Sequence, residues 1–197
     1  MSKPLILASS SPYRRELLER LRLPFTCFSP DVDETRQPEE SPEAMVLRLS
    51  QAKARAVATA LASQYPDALI IGSDQCAVLD GQVLGKPGTE DKAMEQLRAS
   101  SGRCVTLHTG LCLYDGDSGD EQLDRVDFKV HFRVLSDAEI QRYIALEQPL
   151  NCAGSVKSEG LGVALFERLE GEDPSALIGL PLIRLTRMLR DAGHPVI

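Results

Sequence analysis

Residues 4–23, PLILASSSPYRRELLERLRL, contain one complete unit of fold. Residues 4–8 form an apolar run of strand length, too short for a helix. Three serines, Ser9, Ser10 and Ser11, interrupt it. Pro12 has the fixed φ that suits a first helical position, and Ser11 before it is a good N-cap. Leu17, Leu18 and Leu21 then recur at helical spacing, so a helix is expected over 12–23. A strand whose end feeds a helix N-terminus through a short loop is the building block of an α/β fold.

The same signals continue outward. A short strand is expected at 25–28, then an acidic, proline-bearing loop over 29–41, then a long helix opened by Ser41-Pro42-Glu43 and reaching about Ser63. Residues 68–72 read as an apolar strand running into Ser73-Asp74-Gln75, with 76–79 again extended and Asp80-Gly81 as a hairpin turn. A helix over 91–99 has Thr89 as its cap. Strands over 104–114 and 124–134 flank the turn 115–119, and Val126, Phe128, Val130 and Phe132 alternate as in a half-buried strand. Ser136 and Glu139 form a capping box for a helix ending at Glu147. A polar, glycine-bearing segment over 154–162 precedes a strand over 163–169, a helical turn over 175–179 and a closing helix over 181–191. Strands and helices mix without strict alternation, which gives an α/β class with a mixed sheet. No internal repeat appears, and residues 1–197 read as a single domain.

Composition narrows the function. The 197 residues are 43% hydrophobic and 26% charged, an ordinary globular balance. Such a chain buries roughly 70% of its unfolded surface, enough for one large core or two joined lobes. With 22 basic against 29 acidic residues the net charge is -7, and no basic run occurs, so nucleic acid is not expected as a partner. A small anion remains compatible, because a few basic groups in one cleft outweigh the global sign. No apolar run approaches the ~20 residues of a spanning helix, so no membrane partner is expected. The five cysteines are scattered without CxxC spacing, which points to small thiols in a reducing cytoplasm.

Four segments bear on the chemistry. Ser9-Ser10-Ser11-Pro12-Tyr13-Arg14-Arg15 brings free N–H groups, hydroxyls and two arginines to a helix start, a recipe for binding phosphate. Its spacing fits an N-cap followed by surface arginines equally well. Gly81–Pro87 mimics a P-loop but has three residues between its glycines and Pro where a hydroxyl must bind metal, leaving Lys86 only as an isolated phosphate contact. Asp31, Asp33 and Glu34 crowd a loop after a strand. An acidic loop is more often a solvated face, yet carboxylates from separate segments can share a divalent cation. Asp74, directly after Leu69-Ile70-Ile71-Gly72, is harder to dismiss, because an ionised group at the end of an apolar strand needs a partner. His108, His131 and His194 share no ligand spacing.

Read in order, ASSSPYRRELL, DVDET, QAKA, GSDQ, LGKP and CAGSVKSEG resemble the Maf-like nucleoside triphosphate pyrophosphatases over essentially the whole chain. The aromatic Tyr13, the Gln75 after Asp74 and the late KSEG resemble the branch acting on 7-methyl-GTP. Tyr13 stands where some close relatives carry Trp, and its smaller ring still stacks. The resemblance implies a mixed twisted sheet with flanking helices, in two lobes around a nucleotide cleft. It also implies hydrolysis between the α- and β-phosphates, giving a nucleoside monophosphate and pyrophosphate. Asp74 would be the proton acceptor that activates water, with Glu34 and Asp74 holding a divalent cation, Mg or Mn. Ser9, Arg14, Lys53 and Lys86 would face the triphosphate; Tyr13, Gln75 and Glu159 would choose the base.

Elementary chemistry agrees with those roles. N7-methylation makes guanine cationic, which suits an aromatic face at Tyr13 and a carboxylate at Glu159. Without the resemblance, Lys53 reads as a solvated lysine on a long helix, Tyr13 as a surface aromatic and Glu159 as a loop charge. Two other functions compete: hydrolysis of dTTP, UTP or another noncanonical nucleotide, and nucleotide-dependent regulation of cell division with weak catalysis. Retention of both Glu34 and Asp74 argues against the last. The expected partner is a small nucleotide, with room for a homodimer.

Overall fold

The N-terminal apolar run becomes β1 (Leu5–Ala8), with all four residues buried. The computed structural model describes residues 3–197. In it β1 lies between two parallel neighbours, β2 (Thr26–Cys27) and β3 (Leu69–Leu79). Parallel neighbours need crossovers, and α1 (Pro12–Glu19) and α2 (Pro42–Leu61) supply them. β3 turns at Asp80-Gly81 into antiparallel β4 (Gln82–Leu84), as expected. α3 (Glu90–Ser100), β5 (Cys104–Asp115), β6 (Glu121–Phe132), α4 (Asp137–Glu147), β7 (Phe166–Gly171) and α5 (Leu182–Asp191) complete the chain. Among the described residues the sheet has seven strands in the order β2-β1-β3-β5-β6-β7, with β4 off the path on β3. β7 is antiparallel to β6. The sheet is therefore mixed and flanked by helices, which is the expected class.

The helix starts follow the predicted caps. Ser11, Ser41, Thr89 and Ser136 each accept a hydrogen bond from the backbone N–H three residues on, and Glu139 closes the capping box. Several boundaries differ from expectation, among them β6, which runs over Glu121–Phe132 rather than 124–134. α1 stops at Glu19 because its end tightens into i→i−3 bonds, and Arg22, at φ 56, turns the chain away. β3 does not break at Ser73-Asp74-Gln75, since each of these polar residues finds a partner inside the fold. Residues 163–165, expected as strand, belong instead to a 3₁₀ turn, Leu161–Leu165. The Glu147 carboxylate accepts the Leu161 N–H and so fixes the start of that turn.

The chain divides into two compact units. The first comprises the residues up to Gln75, Thr109–Val126 and Asp173–Ile197; the second comprises Cys76–His108 and Asp127–Glu172. In the first, β1 is buried on both faces. Leu5 and Leu7 pack with Leu17 and Leu18 of α1 and Leu185 and Leu189 of α5, while Ile6 and Ala8 pack with Ala54 and Val57 of α2. Two-sided burial is why the run is continuously apolar rather than alternating. In the second unit Leu97, Ile140, Ile144, Phe128 and Leu165 are buried, and Phe132 meets Phe166 edge to face at 5.5 Å.

Two glycines let α2 approach the sheet closely. A Cβ on Gly110 of β5 would collide with the Val46 carbonyl and the Ser50 hydroxyl, and one on Gly72 of β3 would strike the Ser50 carbonyl. The Gly110→Ala variant should lower unfolding stability by roughly 2–3 kcal/mol through overpacking. Its urea midpoint should fall at unchanged m-value; an unaltered midpoint would show that the helix yields freely.

Candidate active site

The first unit gathers the chemical groups around the end of β1 and the middle of β3. Past Ala8 the chain bends, and the nearly buried Ser9 accepts the Ser11 N–H at 3.1 Å. Ser11 caps α1, whose first turn carries Tyr13 and Arg14, both half-buried. Arg14 Nε donates to the Gly179 carbonyl at 2.8 Å. Burial pulls the Arg14 guanidinium below its ordinary pKa, and the negative charges of Asp74 and Glu34 offset part of that shift. The two arginines of the motif therefore diverge. Arg15 is exposed and pairs with Glu19 at i,i+4, so only Arg14 joins the site.

Alternation along β3 sorts its three polar residues between two faces. Asp74 turns towards α2: its N–H donates to Ser50 Oγ at 3.0 Å, and Ser50 in turn donates to the Val46 carbonyl at 2.6 Å. Lys53 lies three residues after Ser50 on the same helix. Its ammonium donates to Asp74 Oδ1 at 2.7 Å and sits 2.6 Å from Glu34 Oε1. Lys53 is only 6% exposed and Asp74 8%, so the expectation of a solvated lysine is wrong. The charge is balanced by two carboxylates from distant segments.

Glu34 reaches Lys53 from a loop latched to α2. Arg48 forks onto Glu40 at 2.6 and 2.8 Å and donates to the Thr35 carbonyl at 3.2 Å. The Arg48 hydrogen bonds hold the Glu40 carboxyl down to about 2. Within the loop Asp33 is held below its ordinary pKa first by a hydrogen bond with the Thr35 side chain and then by the Thr35 N–H, which also fixes the backbone beside Glu34. The acidic loop is exposed, as its composition suggests, yet it delivers Glu34 to a buried cation.

Ser73 and Gln75 use the opposite face. Ser73 Oγ donates to the Gly110 and Gly179 carbonyls at 2.8 and 3.0 Å. Gln75 Nε2 donates to Thr109 Oγ1 at 2.9 Å and to the Ala176 carbonyl at 2.6 Å, and Thr109 bonds that same carbonyl. The amide nitrogen of Gln75 is thus committed to the segment 176–179. That segment is fixed by Asp173, a nearly buried carboxylate that accepts from Ser175 N, Ser175 Oγ and Ile183 N. Ser50, Thr109, Asp173 and Ser175 were not singled out from sequence. Of these, Asp173-Pro174-Ser175 carries a readable signal, an Asp N-cap before Pro.

Lys86 and Glu159 belong to the second unit. Lys86 is exposed on the loop after β4, a hairpin strand in which the P-loop-like spacing has no phosphate cradle to form. Glu159 is exposed and accepts from Ser158 Oγ at 3.2 Å. His108 pairs with Asp127 and His131 with Glu170, both pairs within the second unit.

The donor set determines which metal the site could hold. Among the described residues no three His, Cys, Asp or Glu side chains converge, but Glu34 and Asp74 offer two hard carboxylates around a common cation. A magnesium-type ion commonly takes one or two carboxylates and completes its shell with water and substrate phosphates. Glu34 and Asp74 fit that requirement. The unit's own charges there, Lys53 and Arg14 against Glu34 and Asp74, already balance, so a bound triphosphate calls for added positive charge.

Comparison with known proteins identifies the family. Residues 4–192 match the family model described as Maf-like protein. The chain is 58% identical to a 7-methyl-GTP pyrophosphatase of Alkalilimnicola ehrlichii over 98% of this chain and 96% of that one. It is 59% identical to a 7-methyl-GTP pyrophosphatase of Cupriavidus pinatubonensis over 97% and 94% of the two chains. The solved Staphylococcus aureus Ham1 protein has a TM-score of 0.47 at 15% identity, over 66% of this chain and 72% of that one. With a family model spanning nearly every residue and two relatives of this identity along their full length, the chain belongs to the Maf-like protein family.

Proposed function

We propose that residues 1–197 act as a single pyrophosphatase domain that hydrolyses 7-methyl-GTP to 7-methyl-GMP and pyrophosphate, in the cytoplasm. The observation that carries this reading is the buried Lys53 ammonium bonded to both Asp74 and Glu34, beside a half-buried Arg14. Cations and carboxylates held this closely in a fixed geometry suit an anhydride whose cleavage needs positioning and charge stabilisation more than covalent help. The two relatives at 58% and 59% identity are named 7-methyl-GTP pyrophosphatases, which supports the choice of substrate. None of the five cysteines is in a disulfide, as suits a reducing compartment.

In this mechanism Asp74 is the proton acceptor. Lys53 holds Oδ1 and so orients the carboxylate. The water oxygen bonds to the α-phosphorus, its proton passes to Asp74, and the α–β bridging oxygen departs with pyrophosphate. The Ser50 hydroxyl fixes the backbone beneath Asp74, so that the carboxylate is aimed before substrate arrives. Ser9, Arg14, Lys53 and Lys86 bind the triphosphate. Glu34 and Asp74 would hold a Mg or Mn ion, which when bound supplies charge neutralisation on the phosphate oxygens. Tyr13 stacks on the methylated guanine and Glu159 answers its positive charge. Gln75 acts on base choice by setting the 176–179 segment through its amide nitrogen.

A panel of triphosphates separates this reading from its rivals, with products resolved by chromatography in the absence of added pyrophosphatase. The expected outcome is preferential conversion of 7-methyl-GTP to the monophosphate and pyrophosphate, lost by about a thousandfold or more in kcat in a folded Asp74→Asn variant. A diphosphate product, preference for dTTP or UTP, or near-normal turnover in Asp74→Asn would reject the respective part of the assignment.

Metal dependence has its own test. Exhaustive chelation should abolish turnover, and Mg²⁺ or Mn²⁺ should restore it. Full activity in the chelated protein would remove the ion from the reaction.

A further inference from the structure

The second unit contains a side chain that no role so far uses, Gln96 on α3. It lies half-buried between two loops that are remote in sequence. Its Nε2 donates to the Gly85 carbonyl at 3.1 Å, directly before Lys86. Its Oε1 accepts from Ser155 Oγ at 2.5 Å, four residues before Glu159. One amide therefore uses its donor on the loop carrying Lys86 and its acceptor on the loop carrying Glu159. The two loops also touch directly, because the Gly154 N–H donates to that same Gly85 carbonyl at 3.3 Å.

The Ser155 end of this bridge is not casual. Ser155 is fully buried and has φ 61, a left-handed backbone that non-glycine residues rarely adopt. Such a conformation persists only where its surroundings over-determine it. Its hydroxyl is bonded to Gln96, so the strained residue and the bridge hold one another. Downstream, the Lys157 N–H donates to the buried Tyr143 hydroxyl, and Glu147 takes both the Lys157 ammonium and the Leu161 N–H. The stretch from Ser155 to Leu161 is therefore anchored at each end, with Glu159 between the anchors. The loop of Lys86 has fewer ties: the Gly88 N–H to the Leu150 carbonyl, and the Gly85 carbonyl to Gln96 and Gly154.

We propose that Gln96 is a positioning residue that locks the Lys86 loop and the Glu159 loop into one body, fixing the distance between a phosphate contact and a base contact. The inference rests on the roles assigned above to Lys86 and Glu159. A nucleoside triphosphate has a set span from its base to its phosphates. Two contacts held in register at that span discriminate between bases, whereas two contacts on independently moving loops adapt to either. Gln96 touches neither substrate nor reacting atoms in this scheme; it acts through the loops.

Three variants test it: Gln96→Leu removes both bonds, Gln96→Glu keeps an acceptor for Ser155 and loses the donor to Gly85, and Ser155→Gly removes the hydroxyl while tolerating the positive φ. Amide hydrogen exchange is read at 85–88 and 152–160, alongside kcat and KM for 7-methyl-GTP and GTP and the melting temperature. Gln96→Leu should speed exchange in both loops, and Gln96→Glu should loosen 85–88 more than 152–160. In Gln96→Leu the kcat/KM preference for 7-methyl-GTP over GTP should fall roughly three- to tenfold, the worth of a lost hydrogen bond. The change should lie in KM, with saturated kcat within about twofold, because Asp74, Glu34 and Lys53 are untouched. Ser155→Gly should share the looser 152–160 exchange. In Gln96→Leu, faster exchange in one loop only, or in neither, overturns the coupling. Faster exchange in both with an unchanged substrate ratio overturns the link to base choice and leaves Gln96 as a structural residue. If the wild-type protein ignores 7-methyl-GTP while both loops still loosen together, the substrate assignment fails and the coupling stands.

Discussion

The Lys53 ammonium, buried between Asp74 and Glu34, is the contact on which the first unit depends. A charge removed from water is tolerable only when paired, and breaking a buried pair by deleting one partner costs about 3–5 kcal/mol. That constraint operates in both directions. It lets the Asp74 carboxylate sit in the interior of the fold, and it ties Glu34 to Lys53 from a loop in which Asp31, Asp33 and Glu39 are exposed. The exposed Glu34 arm is the weaker of the two, since solvent screens it.

The fold supplies what this contact requires. Gly72 and Gly110 leave room for α2 to lie against the sheet, and Ser50 fills that room with a hydroxyl that accepts the Asp74 N–H. Lys53, just under one turn along, is then directed at the same residue's carboxylate. On the other face of β3, Ser73 and Gln75 hold the 176–179 segment, to which Arg14 also bonds. A single strand with period-two alternation thus organises the carboxylate chemistry on one side and a fixed carbonyl-bearing segment on the other.

Much of the fold was legible because its signals are local. Ser11-Pro12, Ser41-Pro42, Thr89 and the Ser136/Glu139 pair marked helix starts correctly, and Asp80-Gly81 marked the hairpin. What escaped was set by tertiary contacts. No pattern distinguishes Lys53 from a solvated helix lysine, since its burial depends on carboxylates 19 and 21 residues away in the chain. Arg14 and Arg15 look alike until helix geometry sends one to Gly179 and the other to Glu19. Residues 163–165 carry a strand-like composition, but Glu147 and Lys157 draw the backbone before them into a 3₁₀ turn. The family motifs marked the positions of Asp74, Glu34 and Lys53; that the three form one bonded cluster emerges only from the structure.

A double-mutant cycle on unfolding free energy, with Lys53→Met, Asp74→Asn and the pair, tests the central contact most directly. If the ammonium and the carboxylate compensate one another in a buried site, each single change leaves an unbalanced charge, and the double variant should cost less than the two singles added together. The account predicts a coupling of about 2 kcal/mol or more. Additivity within about 0.5 kcal/mol would contradict it, and would make Lys53 and Asp74 neighbours that stabilise the fold independently.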